Sequence, residues 1–186
     1  METIDSREVY ANPWMTVRED RIRRADGSTG IYGVVDKVNY VVIVPWDGAR
    51  FHLVEQFRYP LQQRSWEFPG GALPPAPDGT PTDGDPLDIA HRELREETGL
   101  RAATMIPLGE LAPAPATCSQ RGRFFLATDL TPGAHEREVE EQDMRSAWFT
   151  RGELESMIAS GVIVDADTVA AYMLLLLQEK GSSLGR

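Results

Sequence analysis

The stretch Asp85-Pro86-Leu87-Asp88-Ile89-Ala90-His91-Arg92-Glu93-Leu94-Arg95-Glu96-Glu97-Thr98-Gly99-Leu100 reads as one amphipathic helix with both ends marked. Asp85 is a capping residue and Pro86 suits the first turn. Ile89, Ala90 and Leu94 supply an apolar side, and Gly99 stops the helix. Residues three and four apart on a helix share a face, so Glu93, Glu96 and Glu97 converge. Like charges at that spacing destabilise an isolated helix, and a divalent cation held by carboxylate oxygens relieves the repulsion. Mg²⁺ takes few carboxylates, keeps several waters and binds phosphate oxygens, which suits a short acidic face opposite a diphosphate. A solvated face of Glu and Arg serving solubility is the other reading of such a helix.

Upstream of the helix, residues 72–86 are rich in Pro, Gly, Asp and Thr and read as a loop, which is either a lid or specificity element or a surface insertion. Before it, residues 64–68 form a short strand leading into Pro69-Gly70-Gly71, where the backbone must turn or approach a ligand closely. Tyr40–Pro45 is a β-rich run, Asp47-Gly48 a turn and 51–56 the next strand, together read as a hairpin. Residues 8–35, punctuated by Asn12-Pro13 and Asp26-Gly27, read as a small antiparallel meander. Downstream, strands are expected at 104–111, 122–128 and 145–149, with Pro113 and Pro115 in a loop between the first two. An acidic loop covers 131–143, and helices at 151–160 and 166–180 close the chain, the second with a Leu-rich inner face. There is no internal repeat. Strands, a central helix, more strands and two helices indicate an α+β chain with helices packed on a mainly antiparallel sheet.

Composition narrows the function classes. With 41% apolar and 26% charged residues in 186, the chain has the balance of one globular domain. Its 29 acidic against 19 basic residues, a formal charge of −10, disfavour non-specific nucleic-acid binding. Cys118 is the sole cysteine, so neither an internal disulfide nor a four-thiolate zinc site is available. The start of the chain carries charges where a signal peptide has an apolar core. The longest apolar run, 169–177, is half a membrane span, so no membrane and a cytoplasmic location are expected.

The run Arg92, Glu93, Leu94, Glu96, Glu97, Gly99, Leu100 resembles the second half of the box of the Nudix family. That box reads Gly, five residues, Glu, seven residues, Arg-Glu-apolar, any, Glu-Glu, any, Gly-apolar. The first half departs from it: Gly71 lies seven residues too far from Arg92, Gly84 stands eight before it, and Asp85 is the candidate substitute for the missing Glu. Gln56-Phe57-Arg58-Tyr59-Pro60, Trp66-Glu67-Phe68-Pro69-Gly70-Gly71 and Pro115, sixteen residues past Gly99, are similar to the ADP-ribose pyrophosphatase branch.

The resemblance covers residues 40–177 and implies a Nudix-like α/β/α sandwich with a mixed, mainly antiparallel sheet. The divisions would be an N-terminal meander at 1–39, a hydrolase domain at 40–180 and a flexible tail at 181–186. Mg²⁺, or Mn²⁺, would be held by Glu93, Glu97 and the Gly70 carbonyl, with Glu96 binding or orienting a further metal or its water. Arg58, whose planar donor fork matches phosphate oxygens, would grip the diphosphate, a surface ion pair being the alternative. Glu67 would bind substrate or metal-bound water. Trp46, Trp66 and Tyr32 are open alternatives for stacking on a base, or core residues. The catalytic base would be Glu141 or Glu140 in the acidic loop. The meander would pair two chains into a homodimer and help to complete the nucleotide pocket, an extra sheet covering the monomer being the alternative. The implied reaction is Mg²⁺-dependent hydrolysis of a small nucleoside diphosphate derivative, ADP-ribose to AMP and ribose 5-phosphate. GDP-mannose or another nucleotide sugar, and a non-catalytic nucleotide-binding module, are the alternatives.

Overall fold

A computed structural model describes residues 1–72, 84–136 and 143–184. The chain divides into two compact units: Met1–Tyr40 and Leu111–Gly122 with Ala72 and Gly84 form one, and Val41–Gly71, Asp85–Glu110 and Arg123–Arg186 the other.

In the first unit, β1 (Glu2–Asn12), β2 (Met15–Arg23) and β3 (Thr29–Asp36) form an antiparallel sheet in that order. The meander therefore begins six residues before the expected position 8. Both of its turns fall at the expected residues. Asn12 Oδ1 accepts from the Trp14 and Met15 amides, each at 2.9 Å, and Asp26 Oδ1 accepts from the Ser28 amide at 3.0 Å. The free edge of β3 is lined by the proline-containing loop. Val35 N donates to Thr117 O at 2.8 Å, Ser119 N to Val35 O at 3.1 Å, and the Tyr32 hydroxyl to Ala116 O at 2.7 Å. Ile22 and Asp20 are buried here, while Val9, Tyr10, Trp14 and Ile31 are exposed.

The second unit carries β4 (Tyr40–Pro45), β5 (Arg50–Arg58), a 3₁₀ turn at Tyr59–Leu61, β6 (Gln63–Glu67) and β7 (Gly70–Gly71). It continues through α1 (Pro86–Thr98), β8 (Arg101–Leu111), β9 (Gly122–Thr131), β10 (Arg145–Thr150), α2 (Arg151–Ala159) and α3 (Ala166–Leu184). One sheet has the order β10-β5-β6 and the other β7-β4-β9-β8, so three helices packed with two sheets make the fold α+β.

The hairpin expected from residues 40–56 is absent. β4 and β5 enter different sheets and share a single bridge, Trp46 to Phe51. The reason lies in their burial. Val41–Pro45 and Phe51–Val54 are inaccessible on both faces, so each strand sits in the interior of its own sheet with a neighbour on either side. The Asp47 carboxylate, accepting from the Ala49 and Arg50 amides at 2.9 and 2.7 Å, steers the chain from one sheet to the other.

The helices follow local chemistry. Asp85 Oδ1 accepts from Leu87 N at 2.8 Å to cap α1, and Gly99 closes it at φ 75. The inner face of α3 is Thr168, Ala171, Tyr172 and Leu175, at three- and four-residue spacing, whereas Met173 and Leu177 face out. The Leu-rich inner face is thus only partly realised, and the helix continues through residues 181–184, where a tail was expected.

Candidate active site

Strand β5 ends in Arg58, the 3₁₀ turn reverses the chain through Gln62 at φ 52, and β6 returns antiparallel to deliver Glu67 opposite Val54. The two side chains meet. Arg58 Nε lies 3.0 and 3.1 Å from the Glu67 oxygens, and Nη2 lies 2.5 Å from Oε2. Glu67 is 3% exposed, and burial pushes its carboxyl above the usual range against the pull of Arg58, with Asp165 and Asp167 adding to the rise. Burial pulls the Arg58 guanidinium down, but its bonds to Glu67 outweigh this and hold it above its ordinary value.

Removing one partner of this pair leaves the other without its charge, and the two losses are unequal. Arg58→Ala strands a buried carboxylate and is expected to cost about 3 kcal/mol, whereas Glu67→Ala leaves an arginine that reaches water and costs about 1–2 kcal/mol. Urea unfolding of both single variants and the double variant should show the double loss at least about 1 kcal/mol smaller than the sum, and strict additivity would refute the coupling.

From Glu67 the chain passes through Phe68-Pro69-Gly70-Gly71 beneath α1. Pro69 O accepts from Ile43 N at 2.8 Å, and Gly70 N donates to Glu97 Oε2 at 3.0 Å. Main chain crowds the first glycine and a side-chain end the second. A Cβ on Gly70 would lie 2.2 Å from the Val41 carbonyl oxygen, and one on Gly71 would lie 2.8 Å from the Glu93 carboxylate. At Gly70 no larger residue lets the turn approach β4 this closely, whereas at Gly71 a side chain would have to displace the Glu93 carboxylate.

Helix α1 supplies the acidic face. Glu93 and Glu97 are 5% and 1% exposed, one turn apart, and both meet the glycine turn. Two arginines of the same helix act as counter-charges: Arg92 Nη2 donates to Glu93 Oε1 at 2.5 Å, while Glu96 pairs with Arg92 at 3.7 Å and Arg95 at 3.5 Å. Beyond Gly99 the chain is latched back onto the helix. Glu136 N donates to Glu96 O at 3.0 Å, and the Glu136 carboxylate lies 3.4 Å from Arg95 and 3.7 Å from Arg101.

Of the residues singled out by sequence, Gly70, Gly71, Glu93 and Glu97 come together, Arg58 and Glu67 bond each other, and Glu96 is engaged by the two arginines. Glu140 and Glu141 lie outside the described residues, as does most of the loop at 74–86. The aromatic candidates have internal partners: Trp46 packs on Phe51 at 4.4 Å, Trp66 on Phe149 at 4.9 Å, and Tyr32 bonds Ala116. Sequence reasoning missed Asp165, which lines a pocket of about 220 Å³ with Arg58, Leu61, Ser65, Glu67 and Val164. Its only local signal was the acidic start of the last helix.

Among the described residues no three of His, Cys, Asp and Glu form a ready cluster for a metal ion. The two buried carboxylates of α1 against main-chain glycines nevertheless have the chemistry to hold a hard divalent cation, which would leave room for water and phosphate oxygens.

A paired-glycine turn pressed on two buried glutamates of a capped helix, beside an Arg–Glu pair, defines the class. The chain belongs to the Nudix family: the NUDIX domain matches residues 36–172, and the nucleoside diphosphate sugar hydrolase N-terminal domain matches residues 1–35. It is similar to the ADP-ribose pyrophosphatase of Mycobacterium tuberculosis (strain ATCC 25618 / H37Rv), 33% identical over 92% of this chain and 81% of the relative. It also resembles the ADP-ribose pyrophosphatase of Bacillus subtilis (strain 168), 24% identical, and the methanol dehydrogenase activator of Bacillus methanolicus, 26% identical, each over 96% of this chain and 94% of the relative. A crystal structure of an ADP compounds hydrolase superposes with a TM-score of 0.80 at 20% identity, covering 97% of this chain and 94% of that one, which shows a common fold. The chain is a Nudix pyrophosphohydrolase of small nucleoside diphosphate compounds, in a family that generally uses divalent cations. Among the described residues no helix is long and apolar enough to cross a membrane.

Proposed function

We propose that this chain hydrolyses ADP-ribose to AMP and ribose 5-phosphate in a Mg²⁺-dependent reaction. The observation that carries the reading is the pair of buried carboxylates, Glu93 and Glu97, brought against Gly70 and Gly71. The resemblance to two ADP-ribose pyrophosphatases across nearly the whole chain supports the substrate. Glu93, Glu97 and the Gly70 carbonyl would hold Mg²⁺, with Mn²⁺ able to replace it and Glu96 serving a further ion or its water. When bound, the ion supplies charge neutralisation on the diphosphate and a more acidic water.

The protein's own groups bind and orient. Glu67 takes Nε and one hydrogen of Nη2 of Arg58, so Nη1 and the second N–H of Nη2 are left for phosphate oxygens, and Glu67 acts by aiming that fork. A carboxylate must also accept a proton from the attacking water, and the helix glutamates are committed elsewhere. Glu141 or Glu140 fills that role. Glu136, the last described residue before them, is tied to α1 by its main chain and its carboxylate, which supports a base carried by the stretch that follows. Turnover of Glu140→Gln and Glu141→Gln, measured separately, should fall about 10²-fold in one of them with KM nearly unchanged, and near-normal rates in both would remove the assignment.

The exposed apolar residues Val9, Tyr10, Trp14 and Ile31 support a homodimer joined through the meander. Light scattering should then give twice the 20.7 kDa chain mass, and removal of residues 1–35 should lower it. A nucleotide sugar such as GDP-mannose is the second reading, favoured by the description of the N-terminal family. Purified protein given ADP-ribose, GDP-mannose, diadenosine polyphosphates and NADH with Mg²⁺ decides between them. The highest kcat/KM is expected for ADP-ribose, and a tenfold or larger preference for another compound would replace it.

A further inference from the structure

The turn that carries Glu67, Gly70 and Gly71 has few ways to be held. Pro69 has no N–H, so Phe68 N and Gly70 N are the donors that flank it. Each goes to a side chain on a different helix. Gly70 N donates to Glu97 Oε2 of α1 at 3.0 Å, and Phe68 N donates to Thr168 Oγ1 of α3 at 2.9 Å, one hundred residues further along the chain. Thr168 is fully buried and Phe68 is 4% exposed, so no water replaces this bond. Thr168 is itself fixed, because its amide donates to Asp165 Oδ2 at 2.7 Å at the start of α3.

We infer that Thr168 is a positioning residue of the active site, whose hydroxyl holds the Phe68-Pro69-Gly70-Gly71 turn at the distance from Glu97 that hydrolysis requires. The inference rests on the proposed metal-binding role of Glu97 and Gly70. Without the hydroxyl, a buried N–H loses its acceptor, the turn is held only from the β4 and α1 sides, and Gly70 no longer keeps one separation from Glu97. A displacement of about 1 Å at such a site is enough to lower a rate about 10²-fold.

Two substitutions divide the side chain's properties. Thr168→Val keeps the shape and removes the acceptor, and Thr168→Ser keeps the acceptor and removes a methyl. In the full chain, Thr168→Val is expected to lower kcat for ADP-ribose about 10–100-fold with KM within about threefold. It should weaken Mn²⁺ binding, read by electron paramagnetic resonance, about tenfold. In the metal-free protein it should speed amide hydrogen exchange at Phe68 and Gly70 by at least about tenfold. Thr168→Ser should stay near the parent in all three. If Thr168 serves only to pack α3, the order reverses, Val behaving as the parent and Ser being impaired, and the inference is overturned. Should Thr168→Val not fold, Thr168→Ala against Thr168→Ser decides: equal impairment overturns the inference, and an intact Ser variant supports it. A parent protein that binds no Mn²⁺ would sink the metal reading of Glu97 and leave kcat and the Phe68 amide to judge Thr168.

Discussion

Glu97→Gln is expected to lower Mg²⁺-dependent turnover about 10³-fold while leaving the metal-free fold intact. The amide oxygen of Gln can still accept from Gly70 N, so the 3.0 Å tie between α1 and the glycine turn has a replacement and the geometry persists. The negative charge is what disappears. That charge sits on a side chain 1% exposed, where fixed electrostatics are weakly screened, and losing one such contribution to transition-state stabilisation costs about 10²–10³ in kcat. Stability should change little, since the desolvation relieved by removing a buried charge is offset by the lost attraction to Arg58. Turnover against Mg²⁺ concentration, with thermal unfolding of metal-free protein as control, separates the two effects. An undiminished rate would remove Glu97 from the metal site.

Gly70→Ala is the second large effect, and here stability and activity fall together. The added Cβ would meet the Val41 carbonyl at 2.2 Å and the Val42 Cα at 3.0 Å, both main chain of an interior strand that cannot rotate aside. The β4–β7 pairing at Val42 and Gly70 has to open, an overpacking strain of about 1–3 kcal/mol. The same movement separates Gly70 from Glu97, so kcat should drop at least about 10²-fold. Gly71→Ala makes an instructive contrast. Its Cβ meets the end of the Glu93 side chain, which can swing, so activity should fall with a smaller loss of stability. Urea unfolding and turnover of both variants test this, and a Gly70→Ala protein of parental stability would contradict the packing.

Much of the site was legible because its grammar is local. Asp85, Pro86 and Gly99 bracket α1 through contacts within one helical turn, and those contacts formed where the residues stand. The spacing of Glu93 and Glu97 placed both on one face of α1, since 3.6 residues per turn is a property of the backbone. Glu96 was grouped with them by the same spacing, but its carboxylate is drawn to Arg92 and Arg95, a competition that periodicity does not register. Arg58 was legible as a phosphate-binding fork or as one member of an ion pair, but its actual partner, Glu67, was not legible, because that bond depends on how the 3₁₀ turn returns β6 beside β5.

By itself the sequence carried the resemblance to the family in residues 92–100, and it determined the capped acidic helix, the two-glycine turn and the run of strands through covalent structure and short-range periodicity. Tertiary structure alone decided that β4 and β5 separate into two sheets. Burial on both faces removes the alternation that marks a strand's neighbours, and a turn of the right composition serves a hairpin or a crossing equally well. It alone decided that Gly70 is required by a carbonyl 2.2 Å from its missing Cβ, since the positive φ that usually marks an obligatory glycine is not what constrains this one. It also joined Thr168 to Phe68, because a hydrogen bond across one hundred residues depends on the packing of a helix against a strand end and leaves no pattern along the chain.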